Sequence, residues 1–296
     1  MSTSQTGELP GSVRIVEVGP RDGLQNEDAL VPAGAKVTFI ESLAAAGLQV
    51  VEATSFVSPR AVPQLADADE VFPRIRRLEG VRYPVLVPNM RGMERAERAG
   101  ADAVAVFTAA SEAFTERNIG MTIAGSLETF EPVLDRAHEL GWWRRGYVST
   151  AFGCPYSGAV EPSTVVEVCA DLLDLGCEEI SVGDTIGVAE PDDVRRVCDA
   201  LLERLPGHRL ALHLHDTRGR ALDNVEAGLE RGVAIYDSSA GGTGGCPFAP
   251  GAPGNLATES LCGLLDRLGI AHGVDANEVA SAAAALRAGM VDRAHG

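Results

Sequence analysis

The sequence predicts an α/β protein, a (β/α)8 barrel (TIM barrel) with one additional C-terminal helix, from three observations. Short β-branched runs recur eight times; each is followed by a helix-like stretch; and the runs are near-continuously apolar. Strands of that kind are buried on both faces, as in a closed parallel barrel wrapped by helices. A doubly wound open sheet is the competing architecture. With 296 residues, 45% of them apolar and only 5% aromatic, the chain can fill one large core of this type.

The strand candidates are Val13–Val18, Val50–Ala53, Val85–Val87, Ala103–Phe107, Gly146–Thr150, Glu179–Val182, Leu210–Leu214 and Ile235–Ser239. Helices alternate with them. Residues 33–47 carry Val37, Ile40, Leu43 and Ala44 at helical spacing and stop at Gly47. Residues 162–176 open with Pro162-Ser163 and stop at Gly176, and residues 191–205 open with Pro191 and acidic residues in the first turn. The stretch after Glu259 reads as the last barrel helix, and one further helix falls near 275–290. Residues 1–11 are polar and read as a disordered tail, which leaves 12–296 as a single domain without a linker.

The formal charge of -17 excludes a nonspecific nucleic-acid or anionic-membrane binder, because such proteins must supply cations to displace phosphate counterions. Six cysteines show neither a CxxC pair nor a secreted-scaffold spacing. Free thiols in a reducing compartment follow, and Cys169, Cys198 and Cys262 fall inside helices as packing residues. No signal peptide, presequence, bilayer-length apolar run or peroxisomal tripeptide is evident, so the cytoplasm is the expected location.

In a parallel barrel, chemistry gathers where strands end and βα loops begin. At the end of the seventh strand stands Leu212-His213-Leu214-His215-Asp216. Strand side chains alternate faces, so His213 and His215 point the same way and could share one metal ion; the plainer reading is a pair of satisfied core imidazoles. Asp22, in the Arg21-Asp22 pair closing the first strand, puts a carboxylate across the same mouth, and Asn255 offers an amide oxygen. Two imidazoles, a carboxylate and an amide suit Mg²⁺ or Mn²⁺; zinc would more often recruit a thiolate. The run Gly241-Gly242-Thr243-Gly244-Gly245-Cys246-Pro247, continuing to Gly254, is either a plain flexible loop or a flap carrying Cys246 as a proton-transfer or nucleophilic group. Glu52 and Asp184 end apolar strands, where a carboxylate is costly unless paired. Each either merely caps a following helix or pairs with an arginine, or it supports the site, Glu52 by holding Arg21 or a metal-bound water. Trp142 and Trp143 read as a helix end.

The stretches Glu17-Val18-Gly19-Pro20-Arg21-Asp22-Gly23-Leu24-Gln25-Asn26-Glu27, Thr54-Ser55-Phe56-Val57-Ser58-Pro59, Gly183-Asp184-Thr185-Ile186-Gly187, and Gly244-Gly245-Cys246-Pro247 with Gly254-Asn255-Leu256-Ala257-Thr258-Glu259 resemble 3-hydroxy-3-methylglutaryl-CoA lyase. The resemblance runs from about Val13 to the last helix. The cysteine segment is its most specific part, since related condensing synthases share the arginine–aspartate and double-histidine motifs but lack it. The resemblance implies a (β/α)8 barrel, usually a homodimer, that cleaves the CoA thioester to acetyl-CoA and acetoacetate, as in leucine degradation and ketone-body formation. It also implies a divalent cation on Asp22, His213, His215 and Asn255. Arg21, Asp22, His213 and Cys246 match catalytic positions, with Glu52 as a supporting acid. Arg218, Arg220, Pro250 and Pro253 depart from the family pattern and bear on substrate tail and flap. Other readings are a lyase for a longer 3-alkyl chain such as isohexenyl, a condensing synthase, or a non-catalytic acyl-CoA-binding barrel.

Overall fold

The computed structural model describes residues 9–245 and 254–290. Its strands form one all-parallel sheet: β1 (Arg14–Glu17), β2 (in two halves, Val50–Val51 and Thr54–Ser55), β3 (Val85–Leu86), β4 (Ala103–Ala109), β5 (Trp143–Ser149), β6 (Glu179–Asp184), β7 (Leu210–Leu214) and β8 (Ile235–Ser238). The two halves of β2 face different neighbours. Val50 and Val51 register with Val16 and Glu17 of β1, while Thr54 and Ser55 register with Val85 and Leu86 of β3. Between them the Glu52 N–H donates to the Glu17 carbonyl and the Ala53 N–H to the Pro84 carbonyl. β1 also pairs with β8, Val16 lying opposite Asp237, so the eight strands close into a ring. All eight expected strands are present. Trp143, however, begins β5 instead of ending a helix, which draws Arg144 and Arg145 into the strand.

The surrounding helices are α1 (Ala33–Ala45), α2 (Ala68–Val71), α3 (Met90–Arg98), α4 (Glu112–Ile119), α5 (Ile123–Glu139), α6 (Pro162–Asp174), α7 (Pro191–Leu202), α8 (Ala221–Leu229), α9 (Thr258–Leu268) and α10 (Ala276–Ala288). Local chemistry sets their ends. α1 stops because Gly47 takes φ +98, a left-handed conformation that costs glycine little, and a Cβ there would meet the Gly273 carbonyl oxygen at 2.2 Å. α7 starts at Pro191 inside a reciprocal Glu190–Asp193 capping box. α10, the additional C-terminal helix, is capped by the Asp275 carboxylate on the Asn277 and Glu278 amides and packs on α1. Of the expected tail, residues 1–8 lie outside the described residues, and the Gly11 carbonyl accepts from the Ala271 amide. Among the described residues no helix is long and apolar enough to cross a membrane. Cys154, Cys169, Cys177, Cys198 and Cys262 are all free and buried.

The main apolar core lies between sheet and helices, with separate clusters built on Val16, Val18, Val50, Ala211 and Ile235 and on Leu86, Ala105 and Tyr147. Period-two alternation brings a second, charged set together in the barrel: Arg145 and Tyr147 of β5, Glu179 and Ser181 of β6, His213 of β7 and Asp237 of β8. The interior face is therefore mixed: these charged groups share it with apolar residues such as Val16, Ala211 and Ile235, while the helix-facing side is apolar.

At the seam between β1 and β8, the fully buried Glu17 carboxylate accepts from the amides of Gly19 (2.8 Å) and Ala240 (2.9 Å) and from the Thr258 hydroxyl (2.7 Å). Burial, with no cationic partner among the described residues, pushes its carboxyl from 4.5 up to about 7, despite those three donors. Because the folded state holds this proton more tightly than the unfolded chain, the contribution to stability is complete below about 4.5 and is lost as pH rises through about 7. The shift corresponds to a loss on the order of 3 kcal/mol. Glu17→Gln should abolish this component, so that the difference in urea-unfolding free energy between variant and wild type moves in the variant's favour from pH 4.5 to pH 8. A difference independent of pH would refute the assignment.

Candidate metal and acid–base site

The site begins where β1 runs into a π-helical turn, Gly19–Gly23. The amides of Arg21, Asp22 and Gly23 all converge on the Val18 carbonyl at 2.7–3.2 Å. Gly19 and Gly23 make this possible: a Cβ on Gly19 would lie 2.6 Å from the Glu17 carboxylate, and one on Gly23 would lie 2.9 Å from the Thr243 carbonyl. The turn is thus wedged between Glu17 and the loop after β8. Arg21, buried, donates through Nε to Glu52 Oε2 (2.7 Å) and through Nη1 to Asp22 Oδ1 (2.7 Å), and its guanidinium lies 5.2 Å from the centre of the Tyr147 ring. Burial opposes its charge, but Glu52 and Asp22 outweigh burial and hold the proton far above the ordinary range. Arg21 is a fixed cation.

From β7, His213 and His215 face the same point, their Nε2 atoms 3.1 Å apart, and Asp22 Oδ2 lies 3.9 Å from His213 Nε2. Ligand atoms of Asp22, His213 and His215 all fall within 4.8 Å of one another. Burial, aided by repulsion from His213, lowers His215 to about 4, leaving its imidazole neutral. Burial also opposes ionisation of Asp22, but Arg21 and the two histidines hold its carboxyl at about 2. For His213 burial opposes protonation, but the hydrogen bond to Asp237 and the charges of Asp22 and Asp237 raise its proton affinity. A neutral imidazole, an ionised carboxylate and a second imidazole converging on one point are a donor set for a divalent cation. His215 Nδ1 is buried with no hydrogen-bond partner among the described residues, and its Nε2 is the atom that faces the cluster. The residues present fit a metal ion.

Asn255 reaches the same cluster, its Nδ2 3.0 Å from Asp22 Oδ2 and 3.2 Å from the Thr243 carbonyl. Glu52 sits below Arg21 and accepts from both Arg21 and the Tyr147 hydroxyl (2.9 Å). Asp184 does not cap the following helix: its two oxygens accept from the Val188 and Ala189 amides, each at 3.0 Å, in the loop ahead of the Glu190 cap. Cys246 lies outside the described residues, as do Pro250 and Pro253. Arg21, Asp22, His213 and His215 line a cavity of about 650 Å³ at the mouth, whose apolar wall includes Phe107 and Phe130. A pocket of this size suits a small-molecule acyl group presented to a polar floor.

Sequence reasoning missed the support beneath this floor. Arg145, fully buried, donates to Glu179 Oε1 (2.8 Å), to the Tyr147 hydroxyl (2.7 Å) and to both oxygens of Asp237 (2.5 and 3.2 Å). Asp237 Oδ2 lies 3.3 Å from His213 Nδ1. Burial opposes its charge, yet Arg145 and His213 hold Asp237 well below the carboxylate range. The available signal was alternation: Arg145 is in phase with Tyr147 on β5, and two interior carboxylates, Glu179 and Asp237, stand on β6 and β8.

A closed parallel barrel whose open end joins a carboxylate, two imidazoles and a buried guanidinium defines a metal-competent acid–base barrel enzyme. The family model HMGL-like matches residues 12–286, and the chain belongs to that family. It is 51% identical over 284 residues to the mitochondrial hydroxymethylglutaryl-CoA lyase of Bos taurus, covering 96% of this chain and 87% of the relative. The crystal structure of hydroxymethylglutaryl-CoA lyase from Pseudomonas aeruginosa superposes with a TM-score of 0.93 at 48% identity, over 95% of this chain and 93% of that one. An HMG-CoA lyase from Acinetobacter baumannii, solved in complex with coenzyme A and 3-methylmalate, superposes with a TM-score of 0.89 at 36% identity, over 97% of this chain and 93% of that one.

His215→Ala removes a neutral candidate ligand while leaving the buried ion pairs below intact, so Mn²⁺ affinity measured by calorimetry should fall more than about tenfold. Wild-type affinity should itself weaken as pH drops and His213 takes up a proton. Undiminished Mn²⁺ binding by the variant would show that the ion, if held, sits elsewhere.

Proposed function

We propose that this protein is a carbon–carbon lyase that cleaves 3-hydroxy-3-methylglutaryl-CoA into acetyl-CoA and acetoacetate. The observation that carries this reading is the Asp22–His213–His215 cluster set beside the fixed cation Arg21 at the floor of the cavity. Its kinship with hydroxymethylglutaryl-CoA lyases over nearly the whole chain supports the substrate, and the relative solved with coenzyme A supports a CoA thioester as the ligand. Free buried thiols accord with a reducing compartment such as the cytoplasm.

Asp22, His213 and His215 would hold the divalent cation, with Asn255 as a further ligand, and Mg²⁺ or Mn²⁺ there would supply Lewis-acid polarisation of the substrate's oxygens. The C3 hydroxyl proton passes to Asp22 or His213, each of which is a base only as its coordination to the cation loosens. With its carboxyl held at about 2, Asp22 can relay that proton but not keep it. The C3–O electron pair forms the new ketone, the C2–C3 bond breaks, and its electrons pass to C2 and the thioester as an enolate. Arg21 stabilises the negative charge that grows on the thioester oxygen. Glu52 and Tyr147 keep that guanidinium from swinging away, since Nε is already committed to Glu52 and Tyr147 bonds the same carboxylate oxygen. Cys246 returns a proton to C2, completing acetyl-CoA.

Purified protein should release acetyl-CoA from 3-hydroxy-3-methylglutaryl-CoA with Mg²⁺ or Mn²⁺, and chelator should abolish it. Arg21→Met should lower kcat about 10²- to 10³-fold, the usual cost of losing one preorganised donor to a developing oxyanion. Cys246→Ala should slow turnover sharply with Mn²⁺ binding retained. A folded, metal-loaded protein inactive on this thioester but active on longer 3-alkyl homologues would move the substrate assignment, and binding without turnover of either would remove the lyase reading.

A further inference from the structure

The Asp237 carboxylate has no role in the chemistry above, yet it is among the most constrained groups in the molecule. β8 places it opposite His213 in the ladder with β7, on the interior face. It is buried, and its partners besides His213 are donors: both Nη atoms of Arg145 and the Ser181 hydroxyl, the last at 2.8 Å to Oδ2. A carboxylate ion-paired with a fixed guanidinium stays ionised and can only accept. His213 Nδ1, 3.3 Å from Oδ2, must then carry the hydrogen.

We infer that Asp237 is a positioning residue for the metal site: it fixes the Nδ1–H tautomer of His213 and leaves Nε2 bare, turned toward His215 and Asp22. The inference rests on the metal-binding reading of that cluster. An imidazole with its proton on Nε2 cannot ligate through that atom, and a ring without a partner at Nδ1 is free both to change tautomer and to rotate; an acidic partner at the second nitrogen prevents both. Arg145 holds the orienting carboxylate in turn. Through Tyr147 and Glu52 the same guanidinium also reaches Arg21, so one buried cation aligns the ligand imidazole and the cation above it.

The test is Mn²⁺ titration, by calorimetry, of chelator-stripped wild type, Asp237→Asn and Ser181→Ala, with thermal melts to establish folding. Asn has one carbonyl oxygen, which Arg145 claims, and its amide then faces His213 as a donor and drives the proton to Nε2. Affinity should fall about 10- to 100-fold in Asp237→Asn and stay within about threefold in Ser181→Ala, which leaves the carboxylate in place. Equal affinity in a folded Asp237→Asn variant would overturn the inference. If that variant does not fold, ¹⁵N NMR of the metal-free wild type decides: Nδ1 protonated and Nε2 bare on His213 supports it, and the opposite tautomer sinks it. Wild type that binds no Mn²⁺ would instead remove the metal reading itself.

Discussion

The burial of Arg145 at the centre of the barrel is the constraint around which the rest is arranged. A guanidinium with no exposure must have acceptors for its donors, and the ring supplies them from different strands: Glu179 of β6, Asp237 of β8 and the Tyr147 hydroxyl on its own strand. Charges in such a place contribute little net stability against an apolar alternative, because desolvation offsets their attraction, but removing one partner leaves the others stranded. The arrangement specifies register. Slipping any of these strands by one residue would turn its charged side chain into the apolar layer beneath the helices, so the polar interior and the strand alignment enforce each other.

The parts of the fold readable in the sequence were those with a period. Eight β-branched runs, Gly47 and Gly176 after their helices, and Pro191 opening α7 each leave a local mark, and the structure places them as read. The paired phase of His213 and His215 was legible for the same reason, as was the convergence of Asp22 from another strand end. Glu52 does bond Arg21, whereas Asp184 neither caps α7 nor joins the cluster but holds the loop ahead of that helix.

What was not legible depended on long-range complementarity. Arg145 follows Trp142-Trp143-Arg144, and a run of that composition resembles a polar connection more than a buried strand. Only the presence of Glu179 and Asp237 on other strands makes an arginine tolerable inside the barrel. The raised carboxyl of Glu17 was hidden likewise: its sequence neighbours form a motif about Arg21, while the burial and the donors acting on it come from Gly19, Ala240 and Thr258. Burial and partner are properties of the closed ring.

The ring closes between its first and last strands, and the polar cluster straddles that seam. Asp22 follows β1, whereas His213, His215 and Asn255 come from β7 and the chain beyond β8, more than 190 residues away. Asp22 cannot meet the other three until the terminal strands have found each other, a contact of very high sequence separation. An ion held there is therefore a staple across that joint. Its binding free energy would add to the stability of the closed barrel by mass action, so that the atoms proposed for the chemistry would also report, by their occupancy, whether that seam is closed.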